Sequence, residues 1–171
     1  MIDCFWRRLD ALARPLVPGG MTMILVIVAV VPLHVPSFEP VAPSLPLIAT
    51  FYWTLHRPDL MPVWAVFVLG LLQDALIGLP AGISACMLTA AHAAVIAQRR
   101  FLVGGSFRVV WLSFGLVTLG AFALGWALTC AFHGAFLAPT ATLLQVLVTF
   151  GAYPLLSRLL LGCETALLRP V

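Results

Sequence analysis

The chain has 171 residues, of which 63% are apolar and only 9% charged, against roughly half and a quarter in soluble domains; with a mean hydropathy of +1.12 it reads as an all-α integral membrane protein. Its nine basic residues, all arginine, exceed the six acidic ones for a net charge of +3, too sparse for the basic stripe that nucleic-acid binding needs. Cys4, Cys86, Cys130 and Cys163 are scattered, without a CxxC or a Cys/His spacing suited to zinc, so neither a metal nor another cofactor is expected.

From the N-terminus, Ile2, Phe5, Trp6, Leu9, Leu12 and Leu16 recur at helical spacing, while Asp3, Arg7, Asp10 and Arg14 fall on the opposite face. That pattern fits a helix over 1–17 lying in the membrane interface; an irregular leader with chance spacing is the alternative. Arg14, Pro15 and Pro18, with no small-residue cleavage site after the next apolar run, argue against a signal peptide.

A membrane crossing takes about 20 mostly apolar residues. Six stretches come near this, at about 20–36, 44–56, 60–78, 82–98, 108–132 and 140–161, so one polytopic domain over 1–171 is expected, with its bundle at 20–161. Pro32, Pro36, Pro40, Pro43 and Pro46 punctuate the first two, and an in-and-back hairpin over 20–56 would leave four crossings. Either even count puts all nine arginines on one side: Arg7, Arg8 and Arg14, then Arg57, then Arg99, Arg100 and Arg108, then Arg158 and Arg169. The opposite loops, about 36–44, 79–82 and 133–139, hold Glu39 and His133 but no arginine. Cytoplasmic loops collect basic residues, so both termini are expected in the cytoplasm. Gly70, Asp74 and Gly78 share one helix face, and small residues such as Ser84, Ala85, Thr89, Gly115 and Gly125 line the later spans, a composition that lets membrane helices pack closely.

Asp74 is the unusual residue. If the third span leaves the arginine side near Asp59, the carboxylate lies about 22 Å along the helix, in the outer third of a hydrocarbon core about 30 Å thick. One role is structural: the following "GLPAG" is a tight turn whose free N–H groups need acceptors. The other is a ligand contact in an outward-facing cavity. Catalysis is not expected. Asp74 has no aspartate partner in the membrane, and Ser84 and His92 on one helix are about 12 Å apart. Ser84 with His133 is possible by depth but sits in no motif. His92, among alanines, reads as a neutral, hydrogen-bonded histidine.

Two stretches, "YWTLHRPDLMP" (52–62) and "GLLQDALIGLPAG" (70–82), in this order and on adjacent spans, resemble the rod shape-determining MreD family. The matching positions are Trp53, Arg57, Pro58, Asp59, Pro62, Gly70, Asp74, Gly78, Pro80 and Gly82; Gln73 stands where the family often has an apolar residue. The resemblance implies a non-enzymatic subunit of the bacterial cell-elongation complex in the cytoplasmic (inner) membrane, supporting lateral peptidoglycan synthesis. Its implied partners are a bitopic MreC-like protein and, indirectly, actin-like MreB and the peptidoglycan glycosyltransferase and transpeptidase of elongation. It also implies a six-helix fold similar to the substrate-binding subunits of energy-coupling-factor vitamin transporters. That likeness supplies the alternative: a small-molecule-binding transporter subunit whose outer pocket includes Asp74.

Overall fold

The computed structural model describes residues 20, 22–24, 27, 43–78, 80–134 and 138–167, with the side chains of residues 60 and 163–167 excepted. The expected interfacial helix over 1–17, most of the first span, Glu39 and its loop, and Arg169 lie outside the described residues. Within them the chain is helical, with no strand: α1 (Leu45–His56), a single 3-10 turn (Pro58–Leu60), α2 (Val63–Ile77), α3 (Ile83–Leu102), α4 (Phe107–His133) and α5 (Thr140–Leu167).

The helix boundaries follow from local chemistry. Pro46 occupies the first turn of α1, where no backbone donor is lost. Pro58 follows Arg57 and turns the chain into the 3-10 segment, so α1 cannot run into α2. Gly78 ends α2 at φ 77° and Gly82 opens α3 at φ 110°, backbone angles that glycine alone adopts without strain. The expected fourth span stops at about 98, but α3 continues to Leu102. Arg99 and Arg100 are good helix formers that suit a helix C-terminus, and the turn waits for Gly104, at φ 93°.

Among the described residues, two helices are long and apolar enough to cross a bilayer, α4 and the Thr140–Gly162 part of α5. The 12 residues of α1 and the 15 of α2 rise about 18 Å and 22 Å, short of the roughly 30 Å of the hydrocarbon core. A short helix is tolerated at membrane depth when other helices cover it, and α1 is covered: every residue from Pro46 to Leu55 is buried. It packs chiefly on α3 and α5. The surface is inverted relative to a soluble protein. Trp64 on α2, Leu112 and Leu116 on α4, and Leu147 and Leu155 on α5 are each more than 60% exposed, while Thr50, Thr54, Asp74, Ser84, His92 and Thr118 are buried. An apolar face this extensive needs lipid or partner helices.

Lipid tails are as apolar as leucine, so packing and hydrogen bonds, not release of water, hold the bundle. At its centre the Phe51 ring meets Phe114 edge-on at 5.0 Å and Tyr153 at 5.6 Å, while Phe114 and Tyr153 stack at 4.3 Å. These rings join α1, α4 and α5. Polar links bring in α3 as well: Thr54 Oγ1 and His92 Nδ1 are 2.8 Å apart, joining α1 to α3. The Ser44 N–H donates to Thr149 Oγ1 at 3.0 Å, and Ser113 Oγ donates to Gln98 Oε1 at 3.0 Å.

Candidate functional site

The motif residues fall into two clusters at opposite ends of α2. The first is the hairpin between α2 and α3. Gly70 is the point of closest backbone approach: a Cβ there would lie 2.4 Å from Ala85 Cα, 2.7 Å from Ala85 N and 2.9 Å from the Ser84 carbonyl oxygen. No side chain fits against fixed backbone at that distance. One turn further on, Asp74 is fully buried. Its Oδ2 accepts the Gly82 N–H at 2.8 Å and its Oδ1 the Ser84 N–H at 2.9 Å. Its main-chain carbonyl accepts the Gly78 N–H at 2.9 Å. One residue therefore caps the end of α2 with its backbone and the start of α3 with its carboxylate. Pro80 is half-buried between them and its carbonyl faces the Ile83 N–H at 3.4 Å.

The energetics favour this arrangement. A carboxylate at mid-membrane costs about 2.5–3.5 kcal/mol, less toward the interface. Hydrogen bonds to a charged group return about 1.5–3 kcal/mol each, and the positive end of α3 adds to them. Two such bonds match or exceed the insertion cost. Among the described side chains, Asp74 is the one carboxylate within an α-helix, and each of its oxygens already holds a backbone donor.

The second cluster is the turn after α1. Trp53 is fully buried, edge-on to Tyr52 at 5.6 Å, and its indole nitrogen has no partner among the described residues. Its carbonyl accepts the Arg57 N–H at 2.7 Å. Arg57 and Asp59 are exposed and Pro58 half-buried, while the Met61 N–H closes the turn onto the Pro58 carbonyl at 3.2 Å. The 15-residue α2 separates this turn from Asp74, so the motif is two structural corners and not one convergent site.

Sequence reasoning missed a cavity of about 480 Å³ beside the second cluster, lined by the end of α1, the end of α3, the start of α4 and residues 153–161 of α5. His56, Arg99, Phe107 and Arg158 share its wall, so four chain-distant segments rich in arginine meet at one end of the bundle. The one-sided spacing of the arginines signals a common level; which of them face one another depends on how the helices pack. Among the described residues, no group of His, Cys, Asp and Glu is placed to hold a metal.

The family model described as rod shape-determining protein MreD matches residues 15–161, which include both clusters. No curated protein and no solved structure matches the chain.

Proposed function

This chain belongs to the MreD family of rod shape-determining membrane proteins, and on that premise we propose that it acts as a non-enzymatic membrane scaffold of the bacterial cell-elongation complex. In this reading it binds a bitopic MreC-like partner and, through it, is coupled to actin-like MreB and to the glycosyltransferase and transpeptidase that build lateral peptidoglycan. The chain forms a single polytopic domain in the inner membrane, with about six spans and both termini cytoplasmic. The likeness to the substrate-binding subunits of energy-coupling-factor transporters rests on the family resemblance alone.

The observation that carries the scaffold reading is the state of Asp74. Its two oxygens are taken by the Gly82 and Ser84 N–H groups of its own hairpin, which is what a shape-holding residue does and leaves little for a ligand. Trp53, Arg57, Pro58, Asp59, Gly70, Gly78, Pro80 and Gly82 then serve to set the two corners that present α2, whose exposed face carries Val63, Trp64, Phe67, Val68 and Leu71, to lipid or partner.

The test is purification of the tagged full-length chain from cells in mild detergent, with its companions identified by mass spectrometry. The bitopic partner should co-purify, and the gene should restore rod shape to a strain lacking its own family member. Stoichiometric recovery of a small molecule, with no bitopic partner, would overturn the scaffold reading in favour of a transporter subunit.

A further inference from the structure

We propose that the cavity at the arginine-bearing end of the bundle is a binding site for the phosphate head group of an anionic phospholipid. Its described wall contains two guanidinium groups, Arg99 and Arg158, and no carboxylate. Arg99 is held in place: its Nε donates to the Leu55 carbonyl at 3.1 Å, near the end of α1, which leaves both terminal nitrogens for an anion. Arg158 is exposed and makes no hydrogen bond or ion pair among the described residues. Tyr153 is 1% exposed, lines the same cavity, and its hydroxyl has no hydrogen-bond partner among the described residues. A hydroxyl on a buried tyrosine and two guanidiniums, none with an acidic partner among the described residues, form a donor set open to an acceptor. Phosphate diesters supply that acceptor and match arginine's fork geometry.

The choice of a lipid over a soluble phosphate comes from the rest of the wall and from its level. Leu102, Val110 and Leu161 make much of the lining apolar, which suits a glycerol backbone and the first methylenes of acyl chains. The cavity lies where α4 begins and where α5 has risen about 27 Å from Thr140 to Arg158, so it sits at head-group depth. Basic pockets between helices at that level are the usual form of an anionic-lipid site, and 480 Å³ falls within the range of about 300–1,000 Å³ that ligand sites occupy. Assigning it to the inner leaflet rests on the proposed orientation; binding itself does not.

The experiment measures lipid binding to the purified full-length protein in detergent micelles by native mass spectrometry, with thermal melts in parallel. The probes are phosphatidylglycerol, phosphatidylcholine and soluble glycerol phosphate. Phosphatidylglycerol should bind about tenfold more tightly than phosphatidylcholine, and Arg158→Gln or Tyr153→Phe should each weaken it about tenfold, the loss expected for one hydrogen bond to a charged group. Tyr153→Phe keeps the ring packed, and Arg158 has no hydrogen bond or ion pair among the described residues to lose, so both variants should melt like the parent when lipid is absent. Arg108→Gln, an exposed arginine outside the cavity, should bind as the parent does. Equal binding of the two lipids, or an equal loss in Arg108→Gln, would overturn the site. Glycerol phosphate binding as tightly as phosphatidylglycerol would overturn the lipid assignment and leave a soluble-anion site. None of these outcomes depends on cell shape, so failure here is distinguishable from failure of the scaffold role.

Discussion

The paired bonds of Asp74 make a sharper test than charge removal alone. Asparagine has one acceptor oxygen and, in place of the other, a donor amide. The Gly82 and Ser84 N–H groups each need an acceptor, so Asn satisfies one and sets N–H against N–H at the other. Alanine satisfies neither. An unsatisfied buried donor costs about 1–3 kcal/mol, so stability in detergent should fall in the order parent, Asp74→Asn, Asp74→Ala, with membrane abundance following. A stable Asp74→Asn protein that fails to restore rod shape would instead mark the carboxylate as a contact for a ligand or partner. Gly70 gives a second prediction. The Cβ of Gly70→Ala meets backbone atoms of Ser84 and Ala85 at 2.4–2.9 Å, and backbone cannot swing aside. The helices must separate, a loss of about 1–3 kcal/mol. Gly120→Ala, whose Cβ would meet nothing within 4 Å, should be neutral or slightly stabilising. Thermal melts of the two variants side by side distinguish packing from helix propensity.

Between elements, the α4–α5 contact shows how a proline is accommodated inside a spanning helix. Pro154 lies within α5 and has no N–H, so the carbonyl four residues earlier, that of Phe150, loses its helical donor. The Trp111 indole N–H of α4 replaces it at 3.2 Å, and the two rings stack at 4.7 Å with their planes 6° apart. Gly115, one turn on, leaves room for the Phe150 ring, which a Cβ would meet at 2.7 Å. In a bilayer, a carbonyl freed by proline must be satisfied by a neighbouring helix, a side chain or water. Trp111→Phe keeps much of the stacking and removes the donor. We expect it to lower stability by about 1–2 kcal/mol. Adding Pro154→Ala restores a main-chain donor to the Phe150 carbonyl, so the double variant should recover part of the loss. The coupling is read from a double-mutant cycle of melts; strict additivity would refute the replacement.

At the scale of the molecule, the prediction is orientation. His56, Arg99, Phe107 and Arg158 line one cavity, while the Asp74 hairpin lies at the other end of α2. If basic residues mark the cytoplasmic face, single cysteines in a chain freed of its own, placed by Asp59→Cys and His133→Cys, should react with an impermeant reagent from opposite sides, the first from inside. A C-terminal reporter should be active only in the cytoplasm. Labelling of both cysteines from one side would contradict the bundle's axis, and reversed labelling would contradict its orientation alone.

Composition and the spacing of arginines suffice for a helical membrane bundle, because lipid demands apolar length and basic residues accumulate on one side of it. The corner at 78–82 is also legible, since Pro80 fixes one backbone angle, Gly78 and Gly82 admit the left-handed angles a tight turn needs, and an aspartate one helical turn earlier is in reach of the free N–H groups. Chain order cannot show that α1 is a helix of only 12 residues buried by its neighbours, because a stretch such as "LPLIATFYWTLH" is equally apolar whether lipid or other helices surround it. It cannot pair Thr54 with His92, Trp111 with the Phe150 carbonyl, or Arg99 with Arg158 and Tyr153. Those meetings depend on the rotation and depth of each helix, which are decided by close packing at points such as Gly70 and Gly115, where one absent side chain determines how near two helices come.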